Sequence, residues 1–525
     1  MRRTLLLLLA LTLSGGWLIA GAGSGLDREH VVSAGVPLDV VRPRADGPRP
    51  GVVVAHGFSG SARMMAPFGD SLAARGYVVA LLDFAGHGAN TEPLPDEAAG
   101  TDESTRALER DLDAAVAHLR SLPDVDPSRI GLVGHSMGAG AVTRYAAAHP
   151  DITATVAISL PGSSAASPQR PARLLTMAGA LEFPGFREVA TSVAAQRDDR
   201  EARLVAGVEH ITILYAPETH RATVSWLDEA FGGQPAGGTV PFPGRRLLGS
   251  ALLVLAVLLG FHPLVAALSG SPASRSVRPG SAPSNSAPPG STPPGSARAE
   301  PAAAPTRAGS TGRPLFAGWR WAAAIRVALI AGVAAGVGAV VARFLPTTRM
   351  PLAIAGYVTA YAAVTGALLL AYARWRPTPR ETGTAPPGRW WLLAVVPYSV
   401  LGIGVPVHLG LTHALLAGSR WWLLVVVWAA FALLAYGAER ISGGAPSSLL
   451  AVAGSFTVVL AAAAVAGLTH GFVTLVLVPL TGLLLWQVWW SAILNRFAAP
   501  AWLIAVTGSV VVTWPLLVTL PLTGG

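Results

Sequence analysis

Residues 131–140, GLVGHSMGAG, set one hydroxyl among small neighbours. Ser136 stands in Gly134-His135-Ser136-Met137-Gly138, a G-x-S-x-G pattern. A serine attacks a carbonyl only with a base in hydrogen-bond reach and an acid that orients the base. Three histidines follow it before the chain turns apolar: His149, His210 and His220. The nearby carboxylates are Asp151, Glu182, Asp198 and Asp199, with Asp83 upstream. The pattern alone arises often by chance, and its bland reading is a glycine-rich turn with a capping serine. A nucleophile needs more, namely a sharp turn from a strand into a helix whose N-terminus favours developing negative charge.

The flanking sequence has that form, with the β-type run RIGLV before the serine and the helix-compatible AGAVTRYAAAH after it. GVVVAHGF and YVVALLDF read as buried strands, as do TATVAISL, RLLTMAGA and ARLVAGVE. Residues 61–75, 102–121 and 137–149 read as helices, and PETHRATVSWLDEAF as a closing helix with Pro217 at its start. Strands alternating with helices predict an α/β domain over 27–245, a mainly parallel sheet covered on both faces. His149 then ends the helix after Ser136, beside Pro150, and faces away from it. His220 falls inside the closing helix as a surface residue. Asp198 and Asp199 lie in the solvated run QRDDREAR, and Asp83 and Asp151 come at the wrong strand ends.

At these motifs the region 29–232 resembles the α/β-hydrolase superfamily, nearest its small esterase, dienelactone-hydrolase and serine-aminopeptidase-like members. His56-Gly57-Phe58 follows a strand where that family places its oxyanion loop. Asp83-Phe84-Ala85-Gly86-His87-Gly88 is similar to its D-x-x-G-H-G turn, and the elbow comes next. The resemblance implies the chain order serine, acid, histidine. It implies Ser136 as nucleophile, His210 as base and Glu182, in GALEFPG, as acid. It implies an oxyanion hole from the backbone N–H groups of Phe58 and Met137. His56 and His87 are structural in such a site; neither metal nor cofactor is expected. Many relatives carry a lid after the sixth strand, but here that insertion is only LPGSSAASPQRP. The pocket is therefore open and shallow, or covered by the membrane or the C-terminal region.

The other half of the chain is of a different kind. Of 525 residues, 52% are hydrophobic and only 13% charged, about half the charged share of a soluble domain. The absence of cysteine excludes disulfides and thiolate metal sites. Residues 1–26 form a secretory signal, with Ala20-Gly21-Ala22 as cleavage site, or an uncleaved anchor. Residues 247–268 form a span, 269–314 a Pro/Gly/Ser-rich disordered linker, and 315–525 an all-α bundle of about seven spans. Trp390-Trp391, Trp421-Trp422 and Trp489-Trp490 lie at span ends, as an interfacial belt requires. In the span near 391–416, Pro397 and Pro406 mark a kinked or re-entrant segment.

The net charge of +9 is carried by arginine alone. These arginines set orientation in a bilayer and do not point to nucleic acid. With Arg2 and Arg3 inside, the α/β domain is extracytoplasmic. The inside loops then hold Arg374, Arg376, Arg380, Arg389, Arg440 and Arg496, and the outside loops only Arg343, Arg349 and Arg420. His262, His408, His413, His470 and Glu439 are the ionisable candidates within the spans. His408 and His413, about 140° apart on one helix, do not face one ligand.

The expectation is a multi-pass cell-membrane serine hydrolase acting on an ester, less readily an amide, of a small-molecule or lipid-like acyl substrate. The rivals are acyl transfer on the same fold, or a transporter or membrane-complex subunit with a non-catalytic α/β module. Oligomeric state is left open by the sequence.

Overall fold

The computed structural model describes residues 2–44, 47–96, 101–232, 238–268, 321–378 and 391–524. The linker expected over 269–314, together with Arg380, Arg389 and Trp390, lies outside the described residues.

Eight strands form one sheet: β1 (Leu26–Ser33), β2 (Val36–Pro43), β3 (Arg49–Ala55), β4 (Val78–Leu82), β5 (Val125–His135), β6 (Ala154–Ile158), β7 (Leu174–Gly179) and β8 (Glu201–Val205). Their order is β1-β2-β4-β3-β5-β6-β7-β8. β1 and β2 are antiparallel, β2 and β4 are antiparallel, and every pair from β4 to β8 is parallel. The β1–β2 hairpin was not foreseen. Its strand LDREHVVS is a mostly exposed edge without apolar alternation, so it gave no strand signal. Ala34 and Gly35, both at positive φ, make the two-residue turn.

Five helices cover the sheet: α2 (Ala66–Ala74), α3 (Asp102–Ser121), α4 (Met137–Ala148), α5 (Pro184–Ala194) and α6 (Pro217–Ala230). α3 begins where predicted because Thr101 and Ser104 form a reciprocal capping box, with Asp102 and Glu103 in the first turn. Alternation along β3 feeds two cores. Val53 and Ala55 pack with Leu112, Val116 and Val142 on the α3–α4 face. Val52 and Val54 pack with Phe68, Leu72 and Leu227 on the α2–α6 face.

The remaining helices are α1 (Arg2–Ala20), α7 (Arg245–Leu268), α8 (Trp321–Phe344), α9 (Ala355–Trp375), α10 (Trp391–Gly410), α11 (Arg420–Ser442), α12 (Pro446–Val465), α13 (Val473–Arg496) and α14 (Ala501–Thr519). Among the described residues, eight of them are long and apolar enough to cross a membrane. α10 carries Pro397 and Pro406, and its shorter apolar stretch is Ala394–Gly410. α1 and α7 cross at glycines: a Cβ on Gly15 would lie 2.8 Å from the Gly249 carbonyl oxygen, and the reverse also holds. Small residues permit such close backbone approach.

One end of the bundle docks on the α/β domain. Leu522 N–H donates to Gly86 O (2.8 Å) and Leu94 N–H to Leu522 O (2.9 Å). Gly86 has φ +76°, and a Cβ there would lie 2.3 Å from Leu522 O, so only glycine admits the segment after α14. The buried Arg420 donates to Gly86 O (2.7 Å) and to Leu517 O (2.9 Å). Ser61 and Thr412 hydroxyls bond at 2.8 Å. Ala353 N–H reaches Pro521 O. The segments after α8, α10 and α12, and the segment after α14, thus share the side of the α/β domain.

Candidate active site

β5 delivers Ser136 to the C-terminal edge of the sheet, and α4 starts at the next residue. Ser136 has φ 52° and ψ −116°, a backbone conformation costing on the order of 1–3 kcal/mol for a residue with a side chain. The turn is held by Ser136 N–H donating to Ile158 O at 2.8 Å. A Cβ at Gly134 would lie 2.3 Å from Gly138 O, and one at Gly138 2.5 Å from His56 O. Both glycines of the motif are therefore required by backbone-to-backbone contact.

His210 comes from the loop between β8 and α6, and Glu182 from the turn after β7. The Ser136 hydroxyl donates to His210 Nε2 at 3.0 Å, and His210 Nδ1 donates to Glu182 Oε2 at 3.2 Å. The two loops are tied by Leu181 N–H donating to Val208 O at 3.0 Å. Glu182 Oε1 accepts from the Ser159 hydroxyl (2.6 Å) and Gly179 N–H (2.9 Å). Burial acts to raise the Glu182 carboxyl, but hydrogen bonds from His210, Ser159 and Gly179 outweigh it and hold it below its ordinary value.

His135 and Ser159 belong to this arrangement and were missed. His135 Nε2 donates to His210 O at 2.9 Å and fixes the backbone that carries the His210 ring. Burial, then the neighbouring His210, lowers His135 to about 3. Ser159 sits at φ 56° next to β6. Neither has a local signature: one fills a variable position of the G-x-S-x-G pattern, the other ends an apolar run.

Phe58 lies in the loop after β3, against the elbow. A Cβ on Gly57 would be 2.8 Å from His135 Nδ1 and 3.0 Å from Ser136 Cβ. Met137 is buried at the first turn of α4. His56 Nδ1 donates to Gly57 O (2.8 Å) while its Nε2 accepts Phe84 N–H (3.1 Å). His87 Nδ1 donates to Ala85 O. Both rings hold loops. Asp83 accepts Ala62 N–H and Ala89 N–H. Burial pushes it up to about 6.

His149 stacks on Tyr145, away from Ser136, as expected. His220 is not a surface residue: it is fully buried, stacked on Phe68 at 4.0 Å, and bonded to Ser71 Oγ and Leu214 O. The amphipathic pattern of α6 concealed it because a satisfied imidazole can face a core. Asp199 pairs with Arg197, and Asp151 with Arg120. Between β6 and β7 the only helical turn is Ser163–Ala165, so the short insertion forms no cap. The cover over β3 and β4 comes from the bundle, including Phe472 on Phe58.

In the apolar half, His413 lies beyond the end of α10, so His408 and His413 are not on one helix. Their rings meet at 5.4 Å. Glu439 accepts from Asn495 Nδ2 at 3.0 Å, His470 lies against Phe472 and His262 against Phe497.

Residues 46–205 match the family described as serine aminopeptidase, S33. Cutinase 1 of Thermobifida cellulosilytica is 30% identical over 117 residues, 22% of this chain and 42% of that protein. The quorum-quenching protein AidA of Acinetobacter baumannii is 33% identical over 107 residues, 20% of this chain and 34% of that one. The match thus spans well under half of these relatives. An esterase of Pyrococcus furiosus aligns with TM-score 0.32 and 20% identity, over 39% of this chain and 92% of its own. The dienelactone hydrolase of Anabaena variabilis aligns with TM-score 0.30 and 20% identity, over 40% and 98%. The chain joins a domain of α/β-hydrolase fold, within which residues 46–205 match the family described as serine aminopeptidase, S33, to a C-terminal region of apolar helices.

Proposed function

We propose that this protein is a membrane-embedded serine hydrolase that cleaves an ester of an apolar acyl group through an acyl-enzyme. The observation that carries the reading is the continuous hydrogen-bonded line from Ser136 Oγ through the His210 ring to Glu182. Ser136 attacks the carbonyl while His210 Nε2 takes its proton. The Phe58 and Met137 N–H groups receive the oxyanion. His210 then protonates the leaving alcohol, and water attacking under the same base releases the acid. Glu182 keeps His210 in the tautomer with its proton on Nδ1 and stabilises the imidazolium.

The chain crosses the membrane through its apolar helices, and the hydrolase domain is extracytoplasmic. Fewer arginines on the helix ends beside that domain support this orientation. The partners of this reading are an acyl substrate and the bilayer.

A fluorophosphonate probe tests it on the intact protein. Covalent labelling of wild type and none of Ser136→Ala is expected, with turnover down by as much as about 10⁶-fold. Equal labelling of both would sink the enzyme reading. Alkaline-phosphatase fusions at residues 240 and 290 test orientation: activity at 290 but not at 240 would reverse it.

A further inference from the structure

All parallel strands deliver their C-terminal ends to one edge of the sheet. That edge holds the Phe58 loop, the 84–94 segment, Ser136, Glu182 and His210. The bundle docks on the same edge at its β3 and β4 side, through Phe472 on Phe58, Thr412 on Ser61 and Leu522 on Gly86. The loops after β7 and β8 carry exposed apolar side chains. There Leu181, Phe183 and Ile211 are 68%, 75% and 44% exposed. Single exposed apolar residues are ordinary. These three bracket Glu182 and His210 directly, on two loops joined by the Leu181–Val208 hydrogen bond, and so form one patch beside the serine.

The helices say what the patch faces. The helix ends beside the α/β domain carry exposed tryptophans: Trp17 near the end of α1, and Trp421 and Trp422 at the start of α11. Arg245, at the start of α7, lies over the Trp17 ring at 5.0 Å and donates to Leu18 O. Arg420, adjoining Trp421, donates to Gly86 O on the catalytic edge itself. Exposed tryptophans at the ends of apolar helices sit at the level of the lipid headgroups. The catalytic edge thus meets the headgroup level where the bundle touches it, and the loops after β7 and β8 lie along that same edge.

We infer that Leu181, Phe183 and Ile211 dip into the leaflet on the hydrolase side, and that the substrate is an acyl ester resident in that bilayer. Apolar side chains at such a surface bury roughly 5–10 Å into the headgroup and acyl boundary. The ester is drawn across this rim to Ser136 without its acyl chain passing through water. The substrate half of the inference rests on the acyl-enzyme reading above; the bilayer contact does not.

The chain has no cysteine, so Phe183→Cys takes a single environment-sensitive fluorophore in the full-length protein. In phosphatidylcholine vesicles, brominated lipids should quench that label at least twofold. A label at Ser128→Cys, near the N-terminal end of β5 on the opposite edge, should not respond. A label at 183 that is no more quenched than one at 128 overturns the bilayer contact. The triple variant Leu181→Ser, Phe183→Ser, Ile211→Ser should lower the ratio of phospholipid to p-nitrophenyl acetate hydrolysis at least tenfold. An unchanged ratio overturns the substrate assignment even if Ser136 still labels with fluorophosphonate. If wild type neither labels nor turns over either ester, the acyl-enzyme reading and the substrate assignment fall together, and quenching at 183 still supports the rim contact.

Discussion

The ring of Phe58, in the loop after β3, packs on the ring of Phe472 at the head of α13 with centroids 5.1 Å apart. Its other edge meets His87 at 5.9 Å. A loop assigned to hold an oxyanion is thus clamped between its own domain and the helical region. Oxyanion donors act only when fixed within a few tenths of an ångström of the developing charge. Phe472→Ala removes one jaw of the clamp. It should lower kcat about tenfold on a short soluble ester while KM moves less than threefold, since the ground state uses the loop less than the transition state does. Steady-state kinetics of the full chain check this, and a KM effect larger than the kcat effect would mean that Phe472 only binds substrate.

Much of the hydrolase domain was legible because its chemistry forces local sequence. Gly134 and Gly138 are demanded by backbone contacts under 2.6 Å, and the helix read over 102–121 is α3. The docking of the two halves was not legible. Ser61 and Thr412 bond at a sequence separation of 351, and such a contact leaves no periodicity or motif in either segment. His220 was misplaced for a related reason. Its partners, Ser71, Leu214 and Phe68, come from other elements, and only the assembled core shows that both ring nitrogens are satisfied.

Glu182→Gln keeps the volume of the acid and removes its charge. Its oxygen can still accept from Ser159 and Gly179, as Oε1 does now. That leaves the amide NH₂ facing His210 Nδ1, which favours the tautomer with its proton on Nε2, unable to take one from Ser136. The expected loss in kcat is about 10³–10⁴-fold. Fluorophosphonate labelling of Ser136 should slow in parallel while the melting temperature stays within a few degrees. Labelling at the wild-type rate would remove Glu182 from the site.

Gly134→Ala tests the elbow as a packing problem. The added Cβ would sit 2.3 Å from Gly138 O and 2.7 Å from Ala139 N, all rigid backbone, so β5 and α4 must separate. Overpacking of this kind costs about 1–3 kcal/mol or more. A melting temperature lowered by several degrees is expected, with activity lost even well below the transition. A fully active and equally stable variant would show that the turn is looser than its geometry implies.

Acid should weaken the α/β domain, and the direction follows from its buried histidines. Burial lowers His56 and His220 to about 4 and His135 to about 3, from an ordinary 6.5. For His56 and His220 the neutral ring uses both nitrogens, one donating and one accepting. The unfolded chain therefore takes up protons below pH 6.5 that the folded chain refuses. Stability is full above 6.5 and falls toward 4 by about 1.4 kcal/mol per pH unit for each group. Two buried carboxyls oppose this. Asp83 and Asp111 are raised by burial to about 6 from 3.8, so their contribution is full below 3.8 and is lost as pH rises through 6. Three groups with the larger shifts outweigh two, and the net effect is loss of stability on going from pH 7 to 4.5. Melting in detergent should show that fall, and His220→Asn should flatten it relative to wild type. A melting temperature that rises on acidification would mean that the two carboxyls dominate instead.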